Sequence, residues 1–102
     1  MSIEKTLKER GEKYGSFEGY VLLCNQLKAV ALLADNGRIQ PLHSEGLDMI
    51  FNKIARILNG DPNYADNWHD IAGYAILVEN ELKIDTAKSF NKNSKVFDSL
   101  ND

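Results

Sequence analysis

A chain of 102 residues, 43% hydrophobic and 26% charged with two prolines and seven glycines, fits one soluble domain over residues 1–102, with no room for a second. So few turn formers exclude a strand-and-turn architecture and leave an all-α bundle of about four helices. The net charge of −3 provides no broad basic face, so nucleic acid is not an expected partner.

A domain of this length is expected to bury roughly 60–70% of its unfolded surface. The N-terminus, Met1-Ser2-Ile3-Glu4-Lys5, is charged from the start, unlike a secretory leader. No apolar run near the ~18 residues that cross a bilayer stands out. The expectation is a cytoplasmic protein without a membrane partner. Cys24 is the one cysteine and lies in the apolar run Val21-Leu22-Leu23-Cys24, which reads as a small buried hydrophobe.

In chain order, residues 2–13 predict a short charged helix capped by Ser2, with Ile3 and Leu7 as its apolar anchors. Tyr14-Gly15-Ser16 breaks it, with Gly15 free to take positive φ and Ser16 placed to cap the second helix. Phe17 to about Ala34 is apolar nearly all round and predicts a central, largely buried helix. Asp35-Asn36-Gly37-Arg38 is a turn, and Ile39-Gln40-Pro41 an extended linker.

A helical hairpin comes next, its first arm at about 43–59 and its second at about 66–83. Ser44 is the expected cap of the first arm and Asn59-Gly60 its stop. Leu47, Ile50, Phe51, Ile54, Ile57 and Leu58 form an apolar stripe, and Glu45, Asp48, Asn52, Lys53 and Arg56 a polar one. On the second arm Trp68, Ile71, Ala75, Ile76, Val78 and Leu82 make a broad apolar side, while Asp66, Asp70 and Gly73 share an edge. Glycine in mid-helix costs about 1 kcal/mol against alanine, so Gly73 suggests close approach of a backbone or ligand. Residues 84–102 read as a loosely docked or frayed tail, with Phe90, Val96, Phe97 and Leu100 available for docking.

Four carboxylates are spaced to converge from the two arms: Glu45 and Asp48, Asp66 and Asp70. Hard Mg²⁺ takes oxygen ligands, so this set suits a metal, with Asp66 and Asp70 catalytic. Lys53 and Arg56 suit phosphate oxygens, and Trp68, Tyr64 and Tyr74 are candidate rings for a base. Each has a plain structural reading as well. Asp66 can cap the second arm, Asp70 can pair with Lys53 or Arg56, Glu45 and Asp48 can answer the helix dipole, and the rings can be core. His43 and His69 have no partner at zinc spacing, and no Walker or dinucleotide loop is present.

The stretches R-G-E-K-Y-G-S-F and K-I-A-R-I-L-N-G-D-P-N-Y-A-D-N-W-H-D-I-A-G-Y-A-I-L resemble a small phage-borne family related to the all-α nucleoside triphosphate pyrophosphohydrolases, the MazG-like and dimeric dUTPase group. The resemblance covers residues 8–82. It implies a MazG-like helical bundle that oligomerises with copies of itself and binds Mg²⁺ and a nucleotide in the host cytoplasm. Asn67 and Asp70 fall at the positions of that group's E-x-x-D motif, with Asp66 as a substitute ligand, and Asn67 thereby joins the nucleotide-binding set. Lys53 and Arg56 stand where its first carboxylate motif is expected. The expectation is a Mg²⁺-dependent pyrophosphohydrolase with a degenerate metal site. The rival is a catalytically inactive interaction protein, an inhibitor of a host enzyme or a nucleotide scavenger.

Overall fold

The computed structural model describes the backbone of residues 2–97 and the side chains of residues 2–84. Four helices succeed one another: α1 (Ile3–Tyr14), α2 (Phe17–Ala34), α3 (Pro41–Asn59) and α4 (Ala65–Phe97). No strand occurs among the described residues, so the fold is the all-α bundle that the composition implies.

The first two helices begin where their caps dictate. Ser2 accepts from the Lys5 amide and Ser16 from the Gly19 amide, each at 3.1 Å, which satisfies an otherwise orphaned first-turn donor. Between them Gly15 takes φ 79°, a left-handed angle that a Cβ would oppose.

α3 starts earlier than the Ser44 cap suggests. Pro41 occupies its first turn, where a residue without an N–H loses nothing and has a preset φ. The Gln40 amide donates to His43 Nδ1 at 3.0 Å, so His43 is a capping residue inside the helix and not a loop histidine.

α4 starts at Ala65, so Asp66 lies in the first turn and does not cap the helix. It then runs past Lys83 to Phe97, because no proline or glycine interrupts residues 74–102. The side chains of Phe90, Val96 and Phe97, and all of Leu100, lie outside the described residues.

α3 is the middle of the fold. α2 packs along one flank of it and α4 along the other, while α1 leans on α2 and α3; among the described residues α4 touches α3 alone. Cys24 on α2 donates to Asn52 Oδ1 on α3 at 3.4 Å, and Val78 of α4 packs against Gly46 of α3, where a Cβ would collide with it. Gly46 is thus the close-approach glycine. Gly73 has nothing within 4 Å of an added Cβ, so the expected approach of a backbone there is absent.

The layer is thin. Among described apolar residues only Cys24 and Ala55 are buried. α2 is therefore not the buried central helix expected of its pattern: Leu22, Val30, Leu32 and Leu33 all face solvent. Periodicity shows which residues are apolar, not whether anything covers them. α2 is also, by length and composition, one helix long and apolar enough to cross a membrane, so the expectation of no such run does not hold.

Candidate functional site

Two turns that are distant in sequence meet in space. The α3–α4 turn begins with Asn59, whose Nδ2 donates to the Tyr14 carbonyl at 2.9 Å and to the Ser16 carbonyl at 2.7 Å. The Asp61 amide donates to the Lys13 carbonyl at 2.8 Å. A Cβ at Gly15 would strike the Asn59 carbonyl, and one at Gly60 would strike the Lys13 carbonyl and the Tyr14 backbone. The joint is backbone against backbone, which only glycine permits at both positions. It brings together the two stretches singled out in the sequence, R-G-E-K-Y-G-S-F and the loop N-G-D-P-N-Y.

Beside this joint lies a cavity of about 360 Å³ lined by α1, the start of α2 and Arg56 of α3. The Arg10 guanidinium carbon lies 5.3 Å from the centre of the Tyr14 ring and the Arg56 one 4.8 Å from it, both within cation–π range. Arg56 also lies 5.4 Å from the Tyr20 ring, and Tyr20 is 6.1 Å from the ring of Phe17. Neither guanidinium is in an ion pair among the described residues. Burial and the neighbouring Cys24 push the Tyr20 phenol above its ordinary pKa of 10.0, and the Arg56 charge opposes that rise. Ser16 and Phe17 set the α2 N-terminus on the same cavity, adding its positive dipole end to the two cations.

The hairpin seam, where the sequence places the site, is differently disposed. Lys53 Nζ and Asp70 Oδ2 pair at 3.0 Å. That bond holds the Asp70 carboxyl below its ordinary 3.8. Asp66 accepts from the Tyr64 hydroxyl at 2.8 Å, and the carboxylate holds that phenol proton up to a pKa of about 12. Tyr64 in turn meets the Tyr14 ring edge-on at 5.9 Å, with Lys13 Nζ 4.9 Å from its centre.

Glu45 is exposed, and Asp48 turns to the opposite flank of α3, lining a cavity of about 440 Å³ against Ala31, Leu32 and Phe51. Among the described residues no group of three His, Cys, Asp or Glu side chains is placed to hold a metal. The four carboxylates as they stand do not converge on one point.

Asn67 is 1% exposed, and its Nδ2 has no acceptor. Tyr74 is half-buried. Trp68 is exposed, its Nε1 donating to the Pro62 carbonyl at 2.9 Å, so it clasps the loop.

Of the residues expected to bind a ligand, only Arg56 lies on the joint cavity. Arg10, Tyr14 and Tyr20 are not among the residues that spacing singles out. The signal available for them is the cluster of a cation, an aromatic and a breaker in R-G-E-K-Y-G-S-F, which on its own reads as no more than a helix end.

Comparison with protein-family models, characterised proteins and solved structures found no match.

Proposed function

We propose that this protein binds a nucleotide at the joint cavity. One observation carries the reading: two guanidiniums close to one tyrosine ring, neither with a carboxylate partner among the described residues. An unneutralised pair of arginines suits phosphate oxygens, which each can grip through a planar fork. Tyr14, Tyr20 and the exposed Phe17 offer aromatic faces to a base, a contact of roughly 1–3 kcal/mol per base. A cavity of about 360 Å³ is in the range of small-ligand sites.

Hydrolysis is a separate matter. Asp70 is engaged by Lys53 and Asp66 by Tyr64, so neither carboxylate is free to take the Mg²⁺ that pyrophosphohydrolysis requires. Binding without turnover is the reading that these contacts favour. It agrees with the scavenger or host-directed interaction protein more than with an enzyme of the MazG-like group.

Calorimetric titration with a panel of nucleosides, nucleoside mono-, di- and triphosphates and inorganic pyrophosphate tests both halves. Affinity is expected to rise with phosphate count, and Arg10→Ala or Arg56→Ala to lower it at least tenfold. Failure of every nucleotide to bind, or an unchanged affinity in Arg56→Ala, would overturn the site. Mg²⁺-dependent release of pyrophosphate would overturn the claim of binding without turnover.

A further inference from the structure

A second cavity lies at the far end of the α2–α3 pair from the joint. It holds about 440 Å³ between the C-terminal half of α2 and the N-terminal half of α3, a volume within the range of small-ligand sites. Ala31 and Leu32 on one wall and Leu47 and Phe51 on the other give it an apolar lining. Such walls favour an apolar body.

Four polar side chains also line it: Lys28, Asp35, Ser44 and Asp48. Asp35 is already committed to the turn, its Oδ1 accepting from the Gly37 amide at 2.9 Å, and Ser44 carries no charge. One cation from α2 and one carboxylate from α3 are left. Lys28 and Asp48 are each half-buried, yet neither side chain forms an ion pair or a hydrogen bond among the described residues. Two charges of opposite sign thus line one apolar cavity without closing on each other, and partial burial makes a partner for each more valuable than it is in open water.

That charge pattern narrows the occupant. A phosphate ester would meet Asp48 as well as Lys28, a hydrocarbon would leave both charges unpaired, and the end of a peptide brings one charge where two are needed. A free amino acid carries an ammonium and a carboxylate on one carbon, beside a side chain that can be apolar. We infer that this cavity binds a free amino acid with a large apolar side chain, its carboxylate on Lys28, its ammonium on Asp48 and its side chain against Leu47 and Phe51. The site shares no lining residue with the joint cavity and does not rest on nucleotide binding there.

Calorimetric titration of the full chain with phenylalanine and leucine, their amides, their N-acetyl derivatives and glycine tests it, because each analogue lacks one of the three features. At least one of the two free amino acids is expected to bind, and its amide, its N-acetyl derivative and glycine each at least tenfold more weakly. Lys28→Met is expected to weaken the amino acid at least tenfold and to leave the affinity of its amide, which has no carboxylate, unchanged. Asp48→Asn is expected to weaken the amino acid equally and to leave its N-acetyl derivative, which has no ammonium, unchanged. Arg56→Ala, at the joint, is expected to leave amino acid binding as it is. Failure of both phenylalanine and leucine to bind, equal affinity across the analogues, or an amide bound more tightly than its amino acid would overturn the inference. These comparisons use the wild type and so hold whether or not either variant folds.

Discussion

Lys53 and Arg56 lie one turn apart on α3, yet their surroundings give them opposite fates. Lys53 has only 12% of its side chain exposed and is closed by Asp70 at 3.0 Å. Arg56 leans the other way, onto the Tyr14 and Tyr20 rings, and keeps its charge unpaired among the described residues. A cation already neutralised within its own helix pair offers little to a phosphate, whereas one held on aromatic faces is positioned without being neutralised. The difference separates a seam that holds the fold together from a joint that has charge left for a ligand.

The largest effect on this contrast should come from the joint's glycines. Gly15→Val puts a branched side chain at φ 79° against the Asn59 carbonyl, and roughly 2–4 kcal/mol of stability is expected to be lost. Denaturant unfolding would show it, and ligand binding should fall with it. Asn59→Ala removes both side-chain bonds that tie the turns together, and a loss of about 1–3 kcal/mol is expected by the same measurement. Arg10→Ala should separate function from stability, lowering nucleotide affinity at least tenfold while unfolding shifts by about 1 kcal/mol or less.

The smallest effect belongs to the seam. Asp70 titrates below its ordinary 3.8 because Lys53 donates to it, so the folded state takes up that proton less readily than the unfolded state. The stabilisation from the pair is therefore complete above about pH 4 and is lost as pH falls through the lowered folded value. With the Asp70 side chain 40% exposed, solvent screening keeps the contribution small. The difference between the unfolding curves of the wild type and Lys53→Ala should shrink as pH falls from about 4 through the lowered Asp70 value.

Local signals make much of this legible. Ser2, Gly15 and Ser16 mark the ends of the first two helices in the sequence because a cap and a positive φ are properties of a few adjacent residues. The partnership of Lys53 with Asp70 is among the expected pairings, since both lie at helical spacing on neighbouring arms. The α3 start is harder to read because Ser44 is the commoner cap, and the bond from the Gln40 amide to His43 has no such familiar signature. The candidate site moves away from the seam because Arg56 meets Tyr14 across more than forty residues, through the contact of α1 with α3, which no spacing within one helix encodes. α2 looks buried in sequence because an all-round apolar pattern reports what a helix needs, not what this chain alone supplies.

The proposed nucleotide site is the point on which the contrast between joint and seam turns. Calorimetric titration of a nucleoside triphosphate into Arg56→Ala and Lys53→Ala, side by side with the wild type, measures that. The joint site predicts binding lost or weakened at least tenfold in Arg56→Ala and retained in Lys53→Ala. Binding that survives in Arg56→Ala and disappears in Lys53→Ala would return the site to the α3–α4 seam and contradict the joint as the binding site.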